Sequence, residues 1–339
     1  MKMQTLIIAE AGVNHNGDLQ KAHELILRAH ECGADIIKFQ SFKSELLVSK
    51  SAQLAAYQKK DSPHASQFEL LKSLELSESD HYKLKNYADE IGIEFLSSAF
   101  DSAGLLELVK MDIKRIKIPS GEITNYQYLH QAGQCRLPII MSTGMSNDKE
   151  ISRAISVLCN AGMPLNLLTI LHCNTEYPTP MDDVNLKAML RMKESHRVEV
   201  GYSDHTAGIE VPIAATALGA KVIEKHFTLD NRLPGPDHSA SLEPSDMKKM
   251  VTAIRNIEKA ISGTGEKNPS KSELKNRSVV RKSLHLKRSL KPGEKINAND
   301  VIPLRPGDGI CPMDLNRVIG RVAKLELNEG TKLTWNLIQ

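Results

Sequence analysis

The sequence has few of the features that mark secreted or membrane-spanning proteins. Its five cysteines are scattered and form no CxxC pair, which argues against a disulfide framework or a zinc ribbon and fits a reducing compartment. No apolar run approaches the roughly 20 residues of a membrane span, and the run before Glu10 is too short for a signal peptide. We therefore expect a globular protein of the cytoplasm.

Nucleic acid is also a poor candidate for a partner. The net charge is only +3 and aromatic residues make up 4% of the chain, so neither a strong positive field nor a stacking surface is indicated. Basic residues do outnumber acidic ones between positions 263 and 305. Because no binding motif accompanies them, a solvated face or a lid over an anionic substrate is the better interpretation.

Alternating strand and helix patterns fill most of the chain. Eight short apolar runs end in polar residues and predict buried strands at 6–9, 35–37, 93–96, 115–118, 138–141, 167–171, 198–200 and 222–225. Helical spacing of apolar residues predicts helices at 19–32, 79–91, 149–161, 211–218 and 245–261. Eight βα units without a GxGxxG turn after the first strand favour a closed (β/α)₈ TIM barrel over an open doubly wound sheet.

The length of 339 residues leaves room for a second module, because such a barrel needs roughly 250. We predict a barrel at 1–262, a linker at 263–282 that includes Gly263-Thr264-Gly265 and Asn268-Pro269-Ser270, and a small β-rich domain at 283–339. One long gap, from Phe42 to Leu76, contains no strand and predicts an inserted helical segment over the barrel mouth.

Polar residues follow many of the predicted strands, at the end of a barrel where ligands bind. His205 and His226 end successive strands and could share one metal ion, although a lone histidine more often satisfies a core hydrogen bond. Lys38 and Lys117 interrupt apolar strands and need an anion there, unless they snorkel to the surface. The full set is Glu10, Asn14, His15, Lys38, Gln40, Ser98, Lys117, Ser120, Glu122, Ser142, Thr175, Tyr177, Ser203, Asp204, His205, His226 and Asp237.

These residues lie in motifs that together resemble the sialic acid synthase family. The motifs occur in the family's order as IAEAGVNHNG (8–17), KFQ (38–40), KIPSGE (117–122), STGM (142–145), HCNTEYPTP (172–180), GYSDHT (201–206), EKHF (224–227) and GPDH (235–238). The segment RPGDGI (305–310) resembles the antifreeze-like SAF domain of the same family, a β-clip fold. The resemblance covers nearly the whole chain.

The resemblance implies a transferase that condenses phosphoenolpyruvate with an open-chain N-acetylmannosamine-type sugar, giving a nine-carbon 2-keto acid and phosphate by C–O cleavage. It further implies a divalent metal, manganese or magnesium, that polarises the sugar aldehyde, and a domain-swapped homodimer. By similarity, His205 and His226 bind the metal and act in catalysis with Glu10 and Glu122. Phosphoenolpyruvate is expected to contact Lys38, Ser98, Lys117, Ser120, Ser142, Thr175 and Ser203.

The acceptor sugar is expected to contact Gln40, Tyr177 and Asp237, and its acyl group to meet Arg305 from the small domain of the other subunit. Two positions depart from parts of the family: Thr175 stands where some members have Asn, and Ser98 where others have Thr. The main expectation for the product is N-acetylneuraminate. The alternative is N,N'-diacetyllegionaminate, made from 2,4-diacetamido-2,4,6-trideoxymannose, because the insert residues Tyr57-Gln58 and 66–69 resemble members of both kinds.

Two other classes of function remain open on the residues alone. A metal-dependent hydrolase on the same barrel would use the two histidines and Asp237, but it gives no reason for two strand-end lysines. A binding protein could instead use the basic 283–339 module to hold a polyanion or glycan. No membrane partner is expected.

Overall fold

The computed structural model of the chain describes residues 4–53 and 66–339. Residues Tyr57 and Gln58 of the predicted insert lie outside this described part. The chain separates into two compact units, Met1–Ser262 and Gly263–Gln339. No helix within the described residues is both long and apolar enough to cross a membrane.

The first unit is a closed parallel barrel, as the sequence predicts. Within the described residues its strands are hydrogen-bonded in chain order, with the last strand pairing with the first. The strands are β1 (Leu6–Gly12), β2 (Ile36–Ser41), β3 (Glu94–Ala99), β4 (Ile116–Ile118), β5 (Ile139–Ser142), β6 (Leu168–His172), β7 (Glu199–Asp204) and β8 (Val222–His226). All eight predicted strands are confirmed.

Helices surround the barrel. The five helices that the sequence predicts are confirmed to within one residue at each end. The helices of this unit are α1 (Leu19–Glu31), α2 (Ser44–Leu47), α3 (Gln67–Leu74), α4 (Glu78–Ile91), α5 (Ser102–Lys110), α6 (Tyr126–Gln134), α7 (Asp148–Asn160), α8 (Leu186–His196), α9 (Glu210–Ala217) and α10 (Pro244–Ala260). The described parts of the 42–76 insert contain α2 and α3 and no strand, as predicted.

Helices α5, α6 and α8 were not predicted, and α5 and α6 each carry an internal glycine that weakens the helical signal. In α6 the glycine has a packing reason. A Cβ on Gly133 would lie 2.5 Å from the Leu158 carbonyl oxygen of α7, so the two helices approach more closely than a side chain allows. In α5 a Cβ on Gly104 would meet its nearest atom, in the helix-capping Asp101, at an ordinary 3.5 Å.

This difference predicts opposite effects of one substitution at two helical glycines. Gly133→Ala should lower the free energy of unfolding by about 1–3 kcal/mol, because the new methyl group forces α6 away from α7. Gly104→Ala should raise it by about 0.5–1 kcal/mol, because it reduces the entropy of the unfolded chain without a clash. Urea unfolding of the two variants beside the native protein measures both effects. A Gly133→Ala variant as stable as Gly104→Ala would contradict the packing argument.

The barrel unit has apolar layers outside and inside its wall. The large core lies between strands and helices. A smaller cluster fills the interior of the barrel with Ile8, Ile36, Leu96, Ile140, Leu171 and Val222. A further cluster packs Leu70 and Leu74 of α3 on Val13 and Phe42, which fastens the insert to the barrel.

The second unit begins within the predicted linker. Helix α11 (Lys271–Val280) occupies half of it, starts at a capping box between Ser270 and Glu273, and has no buried residue. Beyond it, β9 (Ser283–Leu286) and β10 (Val301–Leu304) form an antiparallel pair, and α12 (Leu315–Val318) follows. This unit has its own apolar core, formed by Leu284, Leu286, Leu290, Ile296, Val301, Ile310, Val318, Ala323, Leu327, Leu333 and Ile338.

Candidate active site

Side chains alternate between the two faces of each strand, and this alternation sets the position of the polar site. The interior apolar cluster contains Ile8, Ile36 and Val222, and two residues further along the same strands lie Glu10, Lys38 and Glu224. Residues two apart on a strand point to the same side. The barrel interior therefore carries an apolar layer with a layer of charged and hydroxyl side chains directly above it, towards the carboxyl ends of the strands.

A cavity of about 400 Å³ opens above this apolar layer. Of the predicted site residues, it is lined by Glu10, Lys38, Gln40, Ser98, Lys117, Ser120, Ser142, Thr175, Tyr177, Ser203, His205, His226 and Asp237. Side chains of α3 and three loops add an apolar wall of Leu70, Leu71, Leu74, Phe100, Met145 and Pro236. The insert thus borders the barrel mouth, as predicted.

Two lysines and two carboxylates form a buried cluster at the base of the cavity. The Lys38 ammonium nitrogen lies 2.7 Å from Glu10 Oε2 and 3.7 Å from Glu224 Oε2. Lys117 Nζ lies 3.6 Å from Glu224 Oε1. All four side chains are at most 7% exposed, so the snorkelling alternative for the lysines is wrong. The two ammonium groups and the two carboxyl groups therefore form one buried network inside the barrel.

Serine hydroxyl groups surround this cluster. Lys38 donates to Ser98 Oγ at 3.1 Å and Lys117 to Ser142 Oγ at 2.6 Å, while Ser203 Oγ donates to Glu224 Oε1 at 2.9 Å. Both Ser98 and Ser142 accept from an ammonium group, so their own O–H protons remain available as donors. An anion in the cavity can therefore meet ammonium and hydroxyl donors together.

The two carboxyl groups of the cluster are driven to different protonation states. Burial, together with the nearby charge of Glu224, raises the pKa of Glu10 against the opposing effect of Lys38. Burial also opposes ionisation of Glu224, but Lys117 and Lys38 outweigh it and bring its pKa below the usual range. A pair of carboxyl groups separated in this way suits one acid and one permanent anion.

The histidine pair lies at the side of the cavity. The rings of His205 and His226 are 5.4 Å apart between centroids, and the Tyr177 ring packs on His205 at 4.1 Å. Burial lowers the pKa of both histidines, which keeps the imidazoles neutral. His226 Nδ1 has no hydrogen-bond partner although it is buried, and it lies 3.9 Å from Asp237 Oδ2.

These histidines fit a divalent cation. The Nδ1 atom of His205 is hydrogen-bonded to the Asn174 carbonyl, which as an acceptor fixes the tautomer and leaves Nε2 with its lone pair. The orphaned Nδ1 of His226 supplies a second neutral donor. Within residues 4–53 and 66–339, however, no group of three or more His, Cys, Asp or Glu side chains has the spacing of a metal site. The two imidazoles therefore account for only part of a coordination shell.

Gln40, Asp237 and Ser120 complete the lining that the sequence predicts. Gln40 Nε2 donates to Glu10 Oε1 at 3.2 Å, and burial raises the pKa of Asp237 to about 6. Ser120 Oγ accepts from the Gly144 backbone N–H at 2.9 Å, and the same hydroxyl group lies within hydrogen-bond distance of Cys173 Sγ. A Cβ on Gly144 would lie 2.6 Å from Thr175 Cγ2, so only glycine allows this approach.

Several predicted residues lie elsewhere. Glu122 is half-buried outside the cavity lining, where its carboxylate accepts from Asn125 Nδ2 at 2.7 Å and burial raises its pKa. Arg305 belongs to the second unit, where its Nε donates to the Val280 carbonyl. Asn14 and Asp204 are buried in hydrogen bonds within the barrel unit, and His15 is buried beside Phe39.

Besides the residues of the apolar wall, sequence reasoning missed two titratable residues of the cavity, Glu224 and Cys173. A signal for Glu224 was present, because it lies two residues before His226 in a buried strand and so shares its face. Cys173 follows β6 directly, and its Sγ lies 3.4 Å from Ser120 Oγ. A cysteine after an apolar strand looks like part of the core, so no comparable signal marked it.

Comparisons with known proteins agree with this geometry. A model described as NeuB family matches residues 25–267, and one described as SAF domain matches residues 281–339. The chain is 49% identical over 340 residues to a Legionella pneumophila protein named N,N'-diacetyllegionaminic acid synthase, with 99% of this chain and 95% of that protein covered. A Campylobacter jejuni protein of the same name is 48% identical, with 96% and 98% covered.

A solved structure gives a third comparison. The N-acetylneuraminic acid (sialic acid) synthetase of Leptospira borgpetersenii, in complex with citrate, matches with a TM-score of 0.72 at 34% identity. The match covers 80% of this chain and 90% of that one.

Proposed function

The chain belongs to the NeuB family of phosphoenolpyruvate-condensing nonulosonic acid synthases and carries a C-terminal SAF domain, and we propose that it makes N,N'-diacetyllegionaminate. The acceptor would be 2,4-diacetamido-2,4,6-trideoxymannose. The observation that carries this proposal is the identity of 49% and 48% to two full-length relatives of that name. It favours the alternative product over N-acetylneuraminate, the main expectation from the sequence.

The cavity wall supports the same choice. Leu70, Leu71 and Leu74 of α3, with Phe100 and Pro236, present apolar surface to the cavity. A 6-deoxy sugar carries a methyl group where N-acetylmannosamine carries a hydroxymethyl group, and its second acetamido group adds another methyl. Burying methyl groups against leucine is favourable, whereas a hydroxyl group there loses its hydrogen bonds with water.

We propose that phosphoenolpyruvate binds at the base of the cavity. Lys38 and Lys117 with the hydroxyls of Ser98, Ser120 and Ser142 would bind its carboxylate and phosphate, and Thr175 and Ser203 lie beside them. The sugar would lie above, against Gln40, Tyr177 and Asp237. The alkene carbon then faces the aldehyde carbon, and the carbon–carbon bond forms between them.

Glu10 and Glu224 suit the proton transfers and the charge of this reaction. Protonated Glu10 would donate its proton to the aldehyde oxygen as that oxygen becomes a hydroxyl group. Positive charge then develops at C2 of the former enol phosphate, and anionic Glu224 stabilises it. Glu10, now a carboxylate, takes a proton from the water that adds to C2. The hydroxyl group at C2 becomes the ketone as the bond from C2 to the phosphate oxygen breaks, its proton passes to the departing phosphate, and hydrogen phosphate leaves beside the two lysines.

A divalent cation, Mn²⁺ or Mg²⁺, held by His205 and His226 would supply Lewis-acid polarisation of the aldehyde. Glu122 remains a predicted catalytic residue, although it lies outside the cavity lining.

Arg305 is proposed to bind the acyl group of the sugar across a domain-swapped homodimer. Size-exclusion chromatography with light scattering tests the dimer, and a monomer at assay concentration that retains full activity would contradict it.

Steady-state kinetics with both sugars tests the acceptor proposal. We expect kcat/KM for the diacetamido-trideoxy sugar to exceed that for N-acetylmannosamine by about 100-fold or more, since two group differences each contribute on the order of 1–3 kcal/mol. Equal values of kcat/KM, or a preference for N-acetylmannosamine, would instead support N-acetylneuraminate as the product. Phosphate release without any sugar would instead favour a hydrolase.

Leu71→Ser tests the apolar wall, because Leu71 lines the cavity and is only half-buried. We expect kcat/KM for the trideoxy sugar to fall about 10-fold, and that for N-acetylmannosamine to change less, because a serine can pair with the extra hydroxyl group. Exposed Leu106→Ser on α5 is the matched control and should leave both values unchanged. An equal loss on both sugars would mean that Leu71 does not discriminate between them.

A further inference from the structure

A buried ion pair lies in the barrel wall behind the candidate metal site. Asp204 on β7 and Lys225 on β8 are paired residues in the register of the two strands. Their oxygen and nitrogen atoms are 2.6 Å apart, and both side chains are fully buried. The neighbouring Ser203 and Glu224 line the cavity, so alternation along the strands directs Asp204 and Lys225 to the outer side of the wall.

Apolar residues usually fill this outer layer, as they do around most of this barrel. An ion pair there loses the solvation of two charges, and two apolar side chains of similar volume commonly give equal or greater stability. The pair is therefore poorly explained as a source of stability. A geometric role explains it better, because the hydrogen bonds it makes are directional.

The additional bonds of the pair all converge on one short turn. Asp204 accepts from the Thr206 backbone N–H at 3.1 Å and from the Thr206 hydroxyl at 3.1 Å. Lys225 donates to the Thr206 carbonyl. The turn of residues 204–206, which follows β7, is thereby fastened to β8. His205 lies in the middle of this turn, and His226 follows Lys225 directly.

We infer that Asp204 and Lys225 are positioning residues that hold His205 and His226 at the separation at which both bind one cation. The inference rests on the proposed function, in which these histidines bind the metal. His205 lies on a loop that could otherwise shift along the end of β8, whereas His226 is part of the strand. The pair links the two through the residues immediately beside them, in the way that supporting hydrogen bonds orient metal ligands in other proteins.

Direct Mn²⁺ titration, with free Mn²⁺ followed by its EPR signal, tests this inference without an activity measurement. The variant is the double substitution Asp204→Leu with Lys225→Met, which removes both charges together and leaves no unpaired one. We expect its Kd for Mn²⁺ to rise about 10–100-fold while its circular dichroism spectrum stays native. If the double variant does not fold, Thr206→Val replaces it as the test variant, because it removes only one hydroxyl group. We expect Thr206→Val to raise the Kd for Mn²⁺ severalfold.

The chain offers a matched control at the other end of the barrel. Arg115, just before β4, forms an ion pair with Glu94 at the start of β3, with Nε to Oε1 at 2.6 Å. The double substitution Glu94→Leu with Arg115→Met also removes a cross-strand pair, but far from the histidines along the strands. It should leave the Kd for Mn²⁺ unchanged.

The outcomes separate the inference from the function on which it rests. If the native enzyme binds no Mn²⁺, or His226→Ala binds it as tightly as the native enzyme, the proposed metal site is wrong and the inference falls with it. If binding depends on His226 but the folded double variant has the native Kd, the inference alone is wrong. Where the double variant does not fold, a native Kd in Thr206→Val would overturn the inference in the same way.

Discussion

Replacing Lys117 by methionine is expected to lower kcat/KM for phosphoenolpyruvate by about 10³-fold. Methionine keeps much of the apolar stem but removes the ammonium group that lies 2.6 Å from Ser142 Oγ and 3.6 Å from Glu224. Preorganised charges inside a site shielded from water contribute far more than the same charges in solution. Phosphoenolpyruvate should bind more weakly, and phosphate should depart more slowly.

Stability and activity must be separated in this variant, because Glu224 loses one of the two lysines that lie beside it among the described residues and keeps Lys38, at 3.7 Å. Removing one partner of a buried pair costs on the order of 3–5 kcal/mol when nothing else compensates. Adding Glu224→Gln should recover part of that loss without restoring activity. Exposed Lys114→Met, three residues earlier, is the control and should behave as the native enzyme. A folded Lys117→Met enzyme within 10-fold of native kcat/KM would contradict the proposed role.

Replacing His226 by alanine is expected to abolish condensation, with kcat at least about 10³-fold lower, while the fold stays intact. The ring lines the cavity and its Nδ1 has no hydrogen-bond partner, so its removal breaks no structural hydrogen bond at that atom. Loss of a Lewis acid is worth several kcal/mol in transition-state stabilisation. Activity should be measured after chelation and again after adding Mn²⁺ back.

The native enzyme should lose activity on chelation and recover it with Mn²⁺, whereas His226→Ala should stay inactive in both. Exposed His30→Ala on α1 is the matched control and should follow the native enzyme. Native activity that persists in thoroughly metal-free buffer would refute the metal site. So would a His226→Ala enzyme that Mn²⁺ restores to the native rate.

The barrel was predictable because its strands are apolar on both faces and end abruptly in polar residues. Buried parallel strands read as continuous apolar runs, and glycines closed several of the predicted helices between them. The missed helices α5 and α6 show the limit of this reasoning. The internal glycine of α6, Gly133, reflects its close packing against α7, and such a contact is invisible in the local pattern.

The site was predictable for the same topological reason, since polar residues at the carboxyl ends of all barrel strands must converge. The sequence pattern could not show which of these residues pair with one another within the site. Lys38 looked like a ligand for substrate alone, yet it is also paired with Glu10 and lies near Glu224. Glu122 looked equivalent to Glu10 in its position after a strand, but a short turn holds it beside Asn125 instead.

A crystal structure of the enzyme with Mn²⁺ and phosphoenolpyruvate tests the central claim most directly. That claim is that one cavity joins a cation bound by His205 and His226 to an anion bound by Lys38 and Lys117. We predict an anomalous manganese peak within bonding distance of both imidazoles, and phosphoenolpyruvate oxygens within hydrogen-bond distance of both ammonium groups. Manganese bound away from these histidines, or phosphoenolpyruvate bound outside this cavity, would contradict it.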